Sequence, residues 1–111
     1  MKEKKKYAMG ENIPRLWFDT HVEFQTAFAD NQCIIYERLY YGIKDVIDYD
    51  IDEDYIILAY LNEDKLAFGS PREVWVDNLE GALSFFEDIE DYEMCINVVT
   101  LIKRVKAQQN E

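Results

Sequence analysis

Basic residues are almost absent from the middle of this chain. Between Asp45 and Ile102 only Lys65 and Arg72 are basic, against 16 Asp and Glu residues, so the stretch carries a net charge of −14. Such a field attracts partners of the opposite charge over long distances. It also disfavours direct binding to nucleic acid, because phosphate contacts need Lys and Arg on the folded surface. The remaining positive charge lies mostly at the two ends of the chain, at Lys2, Lys4, Lys5, Lys6, Lys103, Arg104 and Lys106.

Groups for catalysis and metal binding are equally scarce. His21 is the only histidine, and Cys33 and Cys95 have neither a CxxC spacing nor the spacing of metal ligands. No phosphate-binding glycine loop, zinc-protease motif or nucleophile elbow is present. Both thiols lie in apolar runs, which predicts buried, reduced and unreactive cysteines. We therefore expect no enzyme, no cofactor and no catalytic residue, with His21 on the polar face of a strand.

The segment from Asp48 to Asp54 alternates acids like the start of a calcium-binding loop. The sixth position of such a loop is Gly and the twelfth is a bidentate Glu, but Glu53 and Ala59 occupy these positions here. We therefore expect an exposed acidic loop that binds no structural metal.

Long apolar runs are also missing. Without about 18 consecutive apolar residues no membrane span is expected, and no apolar segment follows the first lysines as in a secretory signal. The 111 residues, of which 49% are hydrophobic, suit one domain with its own core. We expect a cytoplasmic protein with short flexible tails at 1–6 and 108–111.

The residue pattern of the first part of the chain, about 16–76, favours a β-sheet. Val22, Phe24, Thr26 and Phe28 alternate with more polar residues, which favours a half-buried strand. We predict a hairpin of 20–28 with 33–41, followed by a strand at Tyr55–Leu61, a turn and a strand at 65–68.

A helical interpretation of the same part remains open. In a helix, residues 33–47 would place an apolar stripe on one side, and short apolar runs separate helix from strand poorly. An all-α domain is therefore the alternative, although β-forming residues and scarce alanine favour the sheet. The stripe would consist of Ile35, Leu39, Tyr40, Ile43, Val46 and Ile47.

The C-terminal part predicts two helices. Asp77 with Glu80 forms a capping box before an amphipathic helix, and a second helix runs from about 92 to 107. Together with the sheet these helices give an α+β fold, in which an antiparallel sheet is covered on one face by a C-terminal helical hairpin. We expect Phe86, Ile89, Cys95, Val99 and Ile102 to be buried in one core.

The last helix has two adjacent apolar stripes, where a surface helix needs only one. It is therefore either the central helix of the domain or a surface that meets another protein. The stripes are Tyr92, Cys95, Val99 and Ile102, and Met94, Val98, Leu101 and Val105.

These features predict a non-enzymatic domain that binds another protein with a basic surface and contacts neither nucleic acid nor membrane. Small acidic inhibitors carried by phages, such as anti-CRISPR and anti-restriction proteins, imitate the charge spacing of nucleic acid, and this chain is similar to them in size and charge. The alternative is a structural or assembly subunit, such as a virion component, that associates with its own copies through the last helix. The predicted partner-binding residues are Asp45, Asp48, Asp50, Asp52, Glu53, Asp54, Glu87, Asp88, Glu90 and Asp91.

Overall fold

The structure, a computed structural model, describes residues 14–17, 19–62 and 66–109, apart from the side chains of His21 and Leu66. It confirms an α+β fold with a C-terminal helical hairpin. The elements in chain order are β1 (Arg15–Leu16), α1 (His21–Asp30), α2 (Gln32–Asp48), β2 (Tyr55–Leu61), β3 (Leu66–Pro71), a 3-10 turn (Arg72–Val74), α3 (Trp75–Asp88) and α4 (Tyr92–Gln109).

The sheet has three strands in the order β1-β2-β3. The predicted strand Tyr55–Leu61 is confirmed, and the strand expected at 65–68 is found as Leu66–Pro71, antiparallel to β2. The prediction of a wholly antiparallel sheet is wrong, because the short β1 pairs with β2 in parallel. A register shift between Ile57 and Ala59 changes the alternation along β2, so that Leu58 and Ala59 are both buried.

The predicted hairpin of 20–28 with 33–41 is wrong, because both segments are helical. At the start of α1 the Thr20 hydroxyl accepts a hydrogen bond from the backbone N–H of Glu23 at 3.1 Å, and the Glu23 carboxylate accepts one from the N–H of Asp19 at 2.7 Å. The first bond satisfies one of the N–H groups that a helix start leaves unpaired, and the second holds the residue that precedes the cap. Phe24 and Phe28 are one turn apart, and the Phe28 ring meets the Phe68 ring of β3 at a centroid distance of 5.7 Å.

Helix α2 buries the apolar stripe that the helical alternative described. Ile35, Leu39 and Ile43 are at most 1% exposed, and they pack towards β2 and α3. Gly42 allows this close approach, since a Cβ there would lie 2.8 Å from a methyl carbon of Ile56. The sheet is therefore covered mainly by α2, a helix that the preferred interpretation did not include, while α3 of the C-terminal hairpin contacts β3.

Helix α3 begins earlier than the predicted cap at Asp77. It starts at Trp75, whose ring is fully buried and whose Nε1 donates a hydrogen bond to the carbonyl oxygen of Ser70 at 3.0 Å. The Arg72 guanidinium lies 4.5 Å from the ring centroid. The start of the helix therefore coincides with this buried indole, and Asp77 lies in the first turn.

Helix α4 is largely internal, packed on α3 and α2. One predicted stripe is buried throughout, whereas in the other Cys95 and Ile102 are buried, Val99 is half-buried and Tyr92 is exposed. Burial is thus confirmed for Phe86, Cys95 and Ile102, but Val99 is only partly covered. Within the described residues no helix is long and apolar enough to cross a membrane.

Two further predictions concern the ends of the C-terminal helices. Ile89 is 50% exposed, because α3 ends at Asp88 and the chain turns away from the core. Gln108 and Gln109, which fall in the predicted C-terminal tail, form the end of α4. The rest of that tail, 110–111, and the predicted tail at 1–6 lie outside the described residues.

We predict that Phe86→Ala lowers the free energy of unfolding by about 3–5 kcal/mol, because it removes a fully buried ring from a packed core. Ile89→Ala is the matched control on the same helix end and should change it by at most about 0.5 kcal/mol. Denaturant unfolding monitored by circular dichroism measures both. Equal effects of the two substitutions would contradict the packing described here.

Candidate functional site

The predicted acidic residues form two separate groups at opposite ends of α4. One end of α4 contacts the end of α2 through Arg104 and Asp48, and the other begins beside Asp91. Asp91 and Arg104 are 13 residues apart, which is about 20 Å along a helix axis. We call the first group the loop cluster (Asp45, Asp48, Asp50, Asp52, Glu53 and Asp54) and the second the turn cluster (Glu87, Asp88, Glu90 and Asp91).

Cations partly neutralise the loop cluster. The Asp48 carboxylate accepts hydrogen bonds of 2.6 Å from both Lys44 and Arg104, and these two bonds hold its pKa below the ordinary value. A carboxylate oxygen of Asp54 lies 3.3 Å from Nε of Arg72. The acidic side chains here are exposed as predicted, except Asp45, which is half-buried.

An open pocket of about 620 Å³ adjoins the loop cluster, with Asp50, Asp52, Asp54 and Gln108 in its wall. Arg72 also lines it, so a cation already stands among the carboxylates. In the part of the chain that the structure describes, no three His, Cys, Asp or Glu side chains are grouped so as to hold a metal ion. The pocket is therefore a polar hollow between the loop and the end of α4.

The turn cluster is built on a tight reversal between α3 and α4. The N–H of Glu90 donates to the carbonyl oxygen of Glu87 at 3.0 Å, and that of Asp91 donates to Phe86 at 2.9 Å. This bonding pattern ends a helix with a residue in the left-handed conformation, a position at which Gly is common. Glu90 occupies it here with φ 61°. Asp50 has φ 52° just beyond the end of α2, so an acid takes this position in both clusters.

The turn cluster keeps more of its charge than the loop cluster. Glu87, Asp88 and Glu90 are exposed, and none of them forms an ion pair with another described residue. Glu87 and Asp88 also lie at the C-terminal end of α3, where the helix dipole favours cations. Asp91 differs from them, because its carboxylate accepts the N–H of Met94 at 3.3 Å and caps α4.

Sequence reasoning missed the neighbours of the turn cluster. Glu93 is exposed in the first turn of α4, and Tyr92 and Ile96 are 62% and 67% exposed. Ile96 falls outside both apolar stripes of α4, and this signal could have identified it as a surface residue. Tyr92 was placed in a core stripe because a helical wheel ignores the distance between the first turn and the core.

The two cysteines lie in different environments. Cys33 is exposed, contrary to its prediction, because α2 begins at the edge of the core, while Cys95 is buried. Desolvation, followed by the charge of Glu37, raises the pKa of Cys33, and burial raises the pKa of Cys95, so both shifts favour the protonated thiol. His21 begins α1 rather than lying in a strand, and its side chain is outside the described part.

Comparison of the chain with protein-family models, with curated proteins and with solved structures finds no match in any of the three. These comparisons therefore assign no role to either cluster.

We predict that Asp48→Asn removes a pH-dependent part of the stability. Because the pKa of Asp48 is lowered in the folded protein, its contribution is fully present above the ordinary value of 3.8 and is lost as pH falls through the lower folded pKa. At neutral pH the substitution should lower the free energy of unfolding by about 0.2–1 kcal/mol, as for a largely exposed ion pair. Unfolding curves measured down to strongly acidic pH should show the two proteins converging. The exposed Asp52→Asn is the control, and an equal loss in both variants would contradict the pairing.

We predict that Glu90→Gly raises the free energy of unfolding by about 0.5–1 kcal/mol. A side chain in the left-handed conformation costs about 1–2 kcal/mol, and the greater freedom of Gly in the unfolded chain offsets part of the gain. Glu87→Gly makes the same change of charge inside α3 and should lower the stability by about 0.5–1 kcal/mol. Thermal and denaturant unfolding test the pair, and shifts of the same sign would contradict the assigned turn.

Proposed function

We propose that this chain is a non-enzymatic protein-binding domain whose acidic surface docks on a basic surface of its partner. In its sharper form it is an inhibitor that imitates nucleic acid and occupies a nucleic-acid-binding groove, in the manner of anti-CRISPR and anti-restriction proteins. The observation that carries the proposal is the turn cluster, where Glu87, Asp88 and Glu90 are exposed with no ion-pair partner among the described residues.

Electrostatics supports this use of the surface. Acids within a −14 stretch attract a basic partner over long range and raise the rate of encounter. Exposed acids on a turn can contact the basic residues of a groove that is shaped for a phosphate backbone. The loop cluster is less suited to the role, because Asp48 and Asp54 are already paired with Lys44, Arg104 and Arg72.

The alternative, an assembly subunit that associates with its own copies through α4, has less support. Most apolar side chains of α4 are covered by α3 and α2 within the same chain. The apolar area that remains exposed on α4 lies beside carboxylates, and two copies would bring like charges together.

We predict that the partner is a nucleic-acid-binding protein that duplex DNA displaces from this chain. The test captures proteins from a host extract on the immobilised chain, identifies them by mass spectrometry, and then measures the affinity of each purified partner. Affinity should fall steeply with salt, because screening weakens the attraction between opposite charges. The proposal is wrong if every captured protein binds equally well at low and high salt and in the presence of DNA.

A matched pair of variants tests where the partner binds. Glu87→Lys with Asp88→Lys reverses one Glu and one Asp of the turn cluster, and Glu53→Lys with Asp52→Lys does the same in the loop cluster. The turn variant should weaken binding at least about thirtyfold, which corresponds to about 2 kcal/mol of like-charge repulsion. The loop variant has the same net charge and should have a much smaller effect. Wild-type binding by both variants, with unchanged melting temperatures, would leave the acids with no role in binding.

A further inference from the structure

Three exposed apolar side chains lie in the short segment that joins α3 to α4 and begins α4. Ile89, Tyr92 and Ile96 are 50%, 62% and 67% exposed, and we call them the apolar patch. Tyr92 and Ile96 are four residues apart on α4, so they are neighbours on one face of the helix. That face borders the buried Cys95, which lies three residues after Tyr92. With most of their surface in solvent, these side chains contribute little to the core.

Acidic residues alternate with the apolar patch along the same short segment. Asp88 and Glu90 flank Ile89 in sequence, and Glu93 follows Tyr92 on the first turn of α4. All three acids are exposed, and Glu87 is exposed one turn before Glu90. An apolar centre with a polar rim is the usual anatomy of a protein–protein interface, and Tyr is among the residues that carry most of the binding energy there.

We propose that the apolar patch, with its acidic rim, is the contact surface for the partner, and that the partner presents an apolar strip bordered by Lys and Arg. The inference rests on the proposed function and names the part of the acidic surface that performs it. Tyr92 and Ile96 bury their side chains against the strip, while Glu87, Asp88, Glu90 and Glu93 pair with the bordering cations. The apolar contact supplies affinity, and the charged rim supplies orientation and rate.

Charge complementarity favours a protein with a basic and apolar surface over the other possible occupants of the apolar patch. A second copy of the chain would bring a rim of carboxylates against an identical rim, which costs several kcal/mol for like charges in contact. An anionic lipid surface attracts basic segments and repels an acidic rim, and a nucleic acid is repelled for the same reason. A basic and apolar protein surface satisfies both the rim and the centre.

The first experiment uses the whole, isotopically labelled chain and a synthetic amphipathic helix of Leu and Lys as the probe. Oligolysine of the same charge is the comparison, because it lacks the apolar strip. In NMR titrations the amphipathic helix should shift the amide signals of residues 87–96 and bind at least about tenfold more tightly than oligolysine, a difference of 1.4 kcal/mol. Shifts centred on residues 48–54, or equal binding of the two probes, would overturn the proposal.

The second experiment removes the apolar patch and compares it with a matched pair elsewhere. Tyr92→Ala with Ile96→Ala should abolish the preference for the amphipathic helix and leave oligolysine binding unchanged. Ile34→Ala with Tyr41→Ala removes the same two residue types from the exposed side of α2, where they are 48% and 43% exposed. This control should keep the preference. The proposal would be overturned if the control lost the preference for the amphipathic helix, or if the patch variant kept it.

The same probes separate the failure of this inference from the failure of the proposed function. If oligolysine and the amphipathic helix bind equally, and the Glu87→Lys, Asp88→Lys variant binds neither, the acidic surface functions without the apolar patch. If that variant binds both as the wild type does, the acidic docking surface itself is wrong. Sedimentation of the chain alone tests the remaining occupant, and a stable dimer that the patch variant disrupts would assign the patch to self-association.

Discussion

The packing of α2 against β2 is the constraint on which the rest of the molecule depends. It depends on Gly42, because a residue without a side chain at this position lets the helix approach Ile56. From this position α2 holds both C-terminal helices: Tyr36 meets the Phe85 ring of α3 at 5.4 Å, and Asp48 pairs with Arg104 of α4. Since α2 fixes where α3 and α4 lie, it also fixes where the chain must reverse between them. The turn cluster is exposed as a consequence of this arrangement.

In this arrangement the Asp and Glu residues of the two clusters lie in two different electrostatic environments. At the end of α2 the carboxylates meet Lys44, Arg104 and Arg72, which arrive from three elements. At the end of α3 no described cation pairs with Glu87 or Asp88, because the neighbouring segment is the start of α4, which brings Asp91 and Glu93. A net charge read from the sequence treats the two clusters alike. Only the directions of the helices separate a partly neutralised surface from one that keeps its charge.

The sequence predicted the parts of the fold in which one periodicity dominates. The C-terminal helices and the strand at Tyr55–Leu61 are of this kind, whereas Phe24 and Phe28 fit an alternating strand and a helical i, i+4 pair equally well. The Thr20–Glu23 capping signal could have decided that case in favour of a helix. Ile89 was misplaced because a helical wheel does not show where a helix ends. Glu90 gave no sign of its left-handed conformation, which is usually marked by Gly.

The local structure at the turn cluster departs in three ways from what stability alone favours, and each leaves acidic or apolar side chains at the surface. Glu90 occupies the left-handed position, as Asp50 does in the loop cluster, Glu87 and Asp88 lie at the end of α3 where the dipole favours cations, and Tyr92 and Ile96 remain in solvent. At the loop cluster Asp48 also lies at the C-terminal end of a helix, but Lys44 and Arg104 pair with its carboxylate. Keeping a protein in solution requires carboxylates but no particular position for them. Departures of this kind are expected where a surface is selected for contact rather than for folding, and here they coincide with exposed apolar side chains. This coincidence is the reason why we propose recognition, and not solubility alone, as the role of the turn.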